Sequence, residues 1–361
     1  DCVKHREFCA EVSRSSLVLL KNNGILPLNP AKAGTIALIG PNCDDVEVLL
    51  GNYNGTPSCP VTPLSAFRNS GVKTAYSRGC GITGDSRAGF KAAIETAEGS
   101  DVIVFCGGLS PKIEGEECDT GGYERADLGL PGMQEELIRE LKKSGKPLIL
   151  VLISGSALSI DPGICDAIVQ AWYPGQSGGE AIADLVFGKF CPSGRLPVTV
   201  YKSVKDLPDF REYSMANRTY RYFKGEPLYP FGYGLSYTTF RYSSITASKA
   251  AVEPGCPVTV SAEVKNTGKM AGHEVVQLYI RDVEASCAVP QKSLAGFKRV
   301  FLEPGEKKKV KFEIQPSQLA LVNEKGERII EKGEFEAAIG GIQPGFECET
   351  TNCVKTVFYV L

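Results

Sequence analysis

Short apolar and β-branched runs alternate with stretches whose apolar positions recur at helical spacing, from residue 5 to about residue 190. The runs at 35–40, 72–77, 101–107, 147–154 and 167–172 read as strands, most of them ending in glycine or small polar residues where a loop would begin. Helices are predicted at 5–21, 61–69, 86–98, 131–144 and 177–188. In the fourth, Pro131 suits a first turn, Glu135 and Glu136 favour the positive helix end, Leu137, Ile138 and Leu141 make the apolar stripe, and Gly145 closes it. This order predicts an α/β domain over 1–200, a layered α/β/α sandwich with a mostly parallel sheet.

Beyond about residue 240 the helical period disappears. Alternating runs at 258–264, 274–280, 308–314 and 333–339 are separated by turns such as Glu253-Pro254-Gly255 and Glu303-Pro304-Gly305, which predicts an all-β sandwich over 240–361. The segment between them, 201–239, is rich in Tyr, Phe, Pro and Gly. A flexible linker would not carry so many rings, so it is expected to pack along the first domain, and Tyr220, Tyr222, Tyr229, Tyr233 and Tyr237 suit packing better than a carbohydrate platform.

At 361 residues, 43% hydrophobic and 23% charged, the chain can bury two cores, and a net charge of −2 offers no electrostatic case for a nucleic-acid or membrane partner. No apolar run approaches the roughly 20 residues of a membrane span. The first residue is Asp1, so the chain is expected to be processed, trimmed or a piece of something longer, with a secreted or periplasmic location favoured and a cytoplasmic one left open. The 13 cysteines are scattered, odd in number and without a tight CxxC pair, which predicts neither a zinc site nor a disulfide framework. Thiols such as Cys106 and Cys165 read as small core residues; Cys2/Cys9 and Cys348/Cys353 are the pairs to test as bridges. His5 and His273, the only histidines, are too far apart in the chain to suggest a triad or metal site.

Chemistry concentrates at residues 110–134. Glu114, Glu116 and Glu117 lie in a glycine-flanked loop just after an apolar strand, where an open α/β sheet forms its ligand crevice. Crowded carboxyls there can hold a proton near neutrality, which suggests acid catalysis without identifying a nucleophile. A solvated acidic loop is the plainer alternative. The run 172–184 passes from a strand end through glycines into a helix but matches no nucleotide fingerprint, so tight helix-to-strand packing explains it best. Asn52, Tyr53 and Asn54 could line a sugar subsite or simply make a turn. Asn54-Gly55-Thr56 and Asn217-Arg218-Thr219 are glycosylation sequons, meaningful only in a secreted eukaryotic protein.

Three motifs together resemble glycoside hydrolase family three. They are the run 16–28 (Ser16-Leu17-Val18 through Leu26-Pro27-Leu28), the run 174–188 followed by Pro192-Ser193-Gly194-Arg195-Leu196-Pro197, and Leu228-Tyr229-Pro230-Phe231-Gly232-Tyr233-Gly234-Leu235-Ser236-Tyr237. The resemblance covers essentially the whole chain and implies that family's C-terminal α/β sandwich followed by its fibronectin type III-like domain. Residues 50–58 and the spacing from Ile113 to Gln134 resemble the β-xylosidase branch more than the β-glucosidase branch.

The family's retaining mechanism uses an aspartate nucleophile on a preceding (β/α)8 barrel and a glutamate acid/base on the α/β sandwich, two carboxyls about 5–5.5 Å apart. The resemblance therefore implies a partial active site. The pattern Ile-Glu-x-Glu places the acid/base on Glu116, with Glu114 and Glu117 as alternatives; the usual Asp-Arg pair appears as Glu124-Arg125 after an insertion at 118–123. The expected partners are a xylo-oligosaccharide or aryl β-glycoside and a barrel in cis or trans, with no metal or organic cofactor. Without the barrel the chain is expected to be inactive. The alternative is a non-catalytic carbohydrate-binding or interaction module that retains the fold.

Overall fold

The computed structural model describes residues 2–114 and 125–361. The chain divides into two compact units, one ending at Gly194 but including Val200–Val204, the other formed by Arg195–Thr199 and Lys205–Leu361.

The first unit is built on six strands: β1 Val18–Asn22, β2 Thr35–Ile39, β3 Lys73–Ser77, β4 Val102–Gly108, β5 Leu148–Ile153 and β6 Ala167–Gln170. They lie in the order β1-β6-β5-β4-β2-β3, all parallel except β1, which runs antiparallel to β6. Every residue of β4 and β5 is buried, as expected of central strands covered on both faces. The covering helices are α1 Val3–Ser16, α2 Pro63–Asn69, α3 Phe90–Glu98, α4 Gln134–Lys142 and α5 Gly178–Val186. Helices α1 and α2 pack on α5, while α3 packs on α4. Right-handed crossovers require this division: β2 to β3 runs outward and carries α2 on one face, whereas β3 to β4 and β4 to β5 run back and carry α3 and α4 on the other. The unit is thus a layered sandwich, as the alternation of elements predicts.

The helix expected over 86–98 begins only at Phe90, those over 61–69 and 177–188 are shorter by one to two residues at an end, and two further boundaries differ for clear physical reasons. The helix expected over 5–21 stops at Ser16, and 18–22 is the antiparallel edge strand β1. Leu17, Val18, Leu19 and Leu20 are all buried, so the run has no solvent face, and a short uninterrupted apolar run fits a two-sided strand as well as a helix. The helix expected over 131–144 begins only at Gln134, because Gly132 adopts φ +61° and breaks the turn that Pro131 would have opened. Its first residue, Gln134, is fully buried.

The second unit contains β7 Phe240–Ala247, β8 Ala251–Val252, β9 Val258–Asn266, β10 Gly272–Asp282, β11 Ser293–Leu302, β12 Lys307–Ile314, β13 Leu321–Val322, β14 Arg328–Ile329, β15 Gly333–Gly340 and β16 Cys353–Val360. One sheet has the order β11-β10-β15-β16-β8, another β12-β9-β7, and β13 and β14 form a small ribbon. Alternation is plain in β12, where Lys307, Lys309 and Lys311 face solvent while Val310, Phe312 and Ile314 enter the core. Residues of both larger sheets share one apolar cluster that includes Phe240, Val260, Leu278, Phe335 and Phe358. Inside this unit, Arg195 Nη2 donates to Glu274 Oε2 at 2.7 Å, and Tyr242 and Thr351 hydroxyls donate to Oε1 at 3.0 and 2.9 Å. From Lys205 onward the aromatic segment clusters with this unit and not, as its sequence suggests, with the first. There Tyr220 stacks on Phe231 with centroids 4.2 Å apart and meets Tyr279 of β10 edge-on.

All described cysteines are free thiols, and neither Cys2/Cys9 nor Cys348/Cys353 is bridged. Among the described residues no helix is long and apolar enough to cross a membrane.

Candidate functional site

Strand β2 lies between β3, which follows it in the chain, and β4, so the connections diverge at the β2/β4 boundary. Open α/β sheets bind ligands outside the carboxyl ends of strands at such a switch point. Here the two strand ends are tied together. The Asn42 amide N–H donates to Cys106 O at 3.2 Å, and its buried side-chain Nδ2 donates to Leu109 O at 3.0 Å. Gly40, at φ +125°, lets the chains approach, since a Cβ there would lie 2.1 Å from Cys106 O. From the head of α4, Gln134 Nε2 donates to Gly108 O and Ile82 O at 2.9 and 3.0 Å, and Gly108 N–H donates to Gln134 Oε1 at 2.8 Å. The edge from which the glutamate loop departs is therefore held by hydrogen bonds both to the β2 loop and to α4.

The loops after β2 and β4 enclose a pocket of about 260 Å³ whose wall includes Glu47, Asn52, Tyr53, Asn54, Pro111 and Lys112. Lys112 Nζ and Glu47 Oε2 pair across it at 2.5 Å. Asn54 Nδ2 donates to Gly51 O at 2.7 Å, which makes it part of the turn. Tyr53, also at the pocket wall, adopts φ +58° and is 77% exposed.

Glu114 is where four loops converge. Asn52 Nδ2, from the β2 loop, donates to Glu114 O at 3.2 Å. Gly155 N–H, just after β5, donates to Glu114 Oε2 at 2.9 Å. The Tyr173 hydroxyl, just after β6, donates to the same oxygen. Among the described residues the buried Glu114 Oε1 has no hydrogen-bond partner. Burial, followed by the hydrogen bond to Glu114 and its charge, pushes the Tyr173 phenol well above its ordinary value, so it remains a donor. Nearby, Arg125 donates to Ser156 Oγ at 3.1 Å and Gly129 O at 3.0 Å. Burial pushes its guanidinium below the usual value, against the opposing charges of Glu114 and Asp127.

Of the residues singled out in the sequence, Asn52, Tyr53, Asn54 and Glu114 are thus brought to one sheet edge. Glu116 and Glu117 lie outside the described residues. Sequence reasoning missed Tyr173, Gly155 and the Glu47–Lys112 pair. Tyr173 stands inside the glycine-rich run 172–184, whose glycines do serve packing: a Cβ on Gly179 would come 2.2 Å from the Thr62 carbonyl carbon where α5 meets α2. Among the described residues no group of three His, Cys, Asp or Glu could hold a metal ion.

The profile of the glycosyl hydrolase family 3 C-terminal domain matches residues 17–237, and that of a fibronectin type III-like domain matches residues 274–342. A beta-xylosidase of Formosa agariphila is 38% identical over 97% of this chain and 50% of its own length. A periplasmic beta-glucosidase of Salmonella typhimurium is 37% identical over 93% of this chain and 48% of its own. The solved structure of a β-glucosidase from Erythrobacter marinus superposes with a TM-score of 0.86 at 34% identity, covering 99% of this chain and 51% of that one. The chain spans about half the length of the curated relatives it matches. With its switch-point glutamate loop and following β-sandwich, the chain belongs to glycosyl hydrolase family 3, of which it represents the C-terminal α/β domain and the fibronectin type III-like domain.

Proposed function

We propose that this chain is the C-terminal part of a retaining exo-acting β-glycosidase, of the xylan 1,4-β-xylosidase kind, and that Glu116 is its acid/base. The observation that carries this reading is the occupation of Glu114: one of its oxygens already accepts from Gly155 and Tyr173 inside the sheet-edge cluster. A general acid must be able to reach the leaving-group oxygen, which favours a carboxyl further along the same loop. In this mechanism an aspartate on a (β/α)8 barrel, outside this sequence, attacks the anomeric carbon while Glu116 gives its proton to the departing oxygen. The resulting carboxylate then takes a proton from the water that releases the sugar. Asn52, Tyr53 and Asn54 would face a xylo-oligosaccharide or aryl xyloside from the β2 side, with hydroxyls meeting the amides and a pyranose face meeting the ring.

Hydrolysis of an aryl β-xyloside tests the assignment. The 361-residue chain alone is expected to give no enzymatic turnover, and the barrel supplied in trans is expected to restore it. In the restored enzyme Glu116→Ala should lose about 10²–10⁴-fold in kcat. Robust turnover by the chain alone, or an unaffected Glu116→Ala, would overturn the reading. Tight calorimetric binding of xylo-oligosaccharides by the chain without a barrel would instead favour a carbohydrate-binding module.

A further inference from the structure

Three independent features of the β5 and β6 loops serve one hydrogen bond. Trp172, the residue before Tyr173, is held at φ +58°, a left-handed conformation costly for a bulky side chain. Its indole Nε1 donates to Ser16 O at 3.1 Å, and its carbonyl accepts from Ser154 N at 3.1 Å, so the strained turn is fastened at both ends. The turn delivers the phenol of Tyr173 to Glu114. Across from it, Gly155 contributes an amide to the same oxygen and leaves the room that the ring needs. A Cβ at Gly155 would lie 2.8 Å from Tyr173 Cε2 and 3.2 Å from Glu114 Oε2.

We propose that Tyr173 is a positioning residue of the glycosidase site: its hydroxyl, together with the Gly155 amide, holds the Glu114 carboxylate and so fixes where the chain leaves β4 toward the acid/base. The proposal rests on the reading of Glu116 as that acid/base. It makes Glu114 an anchor, bonded through its main-chain carbonyl to the β2 loop and through its carboxylate to the β5 and β6 loops. Small displacements of a proton donor cost up to about 10²-fold in rate, so the anchor acts on the chemical step without touching substrate.

Leaving-group dependence separates this role from general stability. A poor leaving group, such as methanol or xylose, needs protonation as its bond breaks; 2,4-dinitrophenolate does not. In the enzyme assembled with its barrel, Tyr173→Phe is expected to lower kcat on methyl β-xyloside or xylobiose by about 10- to 100-fold, with KM changed less than about twofold. On 2,4-dinitrophenyl β-xyloside the same variant should stay within about threefold of wild type in kcat/KM, which reports cleavage of the glycosidic bond and not the later general-base step. Glu114→Gln should show the same split, and serves if Tyr173→Phe does not fold. Equal losses on both substrate classes, or no loss on either, would overturn the proposal.

A second measurement needs no turnover. With Cζ-labelled tyrosine in the 361-residue chain, the signal missing from Tyr173→Phe identifies Tyr173. It should show no titration through the ordinary phenol range near pH 10 and should move in Glu114→Gln. A Tyr173 signal that titrates normally would show the contact absent and sink the proposal whatever Glu116 does. If instead Glu116→Ala lacks any leaving-group dependence, the acid/base reading fails and takes this proposal with it. A normal pattern for Glu116→Ala beside an indifferent Tyr173→Phe removes the positioning role alone.

Discussion

Glu114, Glu116 and Glu117 look interchangeable as letters in a row, yet the fold treats Glu114 individually. Its carboxylate meets partners 41 and 59 residues further along the chain, Gly155 and Tyr173. Nothing in the local pattern could have named them, because a loop sequence reports turn chemistry rather than which distant loops share its edge. Gly155 carries a prediction at this scale. Since a Cβ there must displace the Tyr173 ring or the Glu114 carboxylate, Gly155→Ala should destabilise the first unit by about 1–3 kcal/mol, read as a lower urea midpoint. Removing the ring as well should recover part of the loss, so the two effects should be non-additive. A Gly155→Ala midpoint equal to wild type would show that the cluster is looser than its geometry implies.

Elements were legible wherever burial left a periodic trace. The stripe of Leu137, Ile138 and Leu141 marks α4, and the continuous apolar run of β5 marks a covered strand. The trace fails at β1, where buried residues on both sides erase the period, and at the start of α4, where the glycine at 132 decides the backbone. A polar staple also joins elements here. Lys142, in the last turn of α4, meets Asp166 Oδ2 at 2.6 Å, and the Leu148 amide at the head of β5 donates to the same oxygen at 2.9 Å. Burial pushes the Asp166 carboxyl up, but the bonds from Lys142 and Leu148 outweigh it and leave it below its ordinary value. A carboxylate lowered in the folded state contributes stability above its unfolded value of about 3.9 and loses it as pH falls through the folded value. Asp166→Asn should therefore cost about 0.5–1 kcal/mol at pH 7, the pair being screened by solvent, and flatten the stability curve below about pH 4, as followed by urea unfolding across pH. An unchanged acid limb would remove Asp166 from that role.

Across the whole molecule, the two units draw on different physics. The first is a covered parallel sheet whose central strands are apolar throughout; the second is a sandwich that buries an ion pair. Arg195 and Glu274 have side chains only 6% and 0% exposed. Burial raises the Glu274 carboxyl, with Arg195 and the Thr351 and Tyr242 hydroxyls opposing that rise. Taking away the guanidinium leaves a buried acid without its counter-charge, so Arg195→Met should cost about 3–5 kcal/mol in thermal or urea unfolding of the second unit. Adding Glu274→Gln should recover part of it. A loss confined to a few tenths of a kcal/mol would mean that Glu274 is held neutral without help from Arg195.

The sequence by itself determined the layer order of the first unit, the β-sandwich after it and the family, because strand and helix periods and short ordered motifs are local properties that survive in a linear string. It also placed the acidic loop after β4 and the Asn52–Asn54 turn after β2. Only the tertiary structure decided that these two loops share a switch-point crevice, that Glu114 is bound by Gly155 and Tyr173, and that Arg195 serves a buried carboxylate. Those contacts depend on which strands lie side by side and on how far each loop reaches over the sheet edge, and residue spacing along the chain encodes neither.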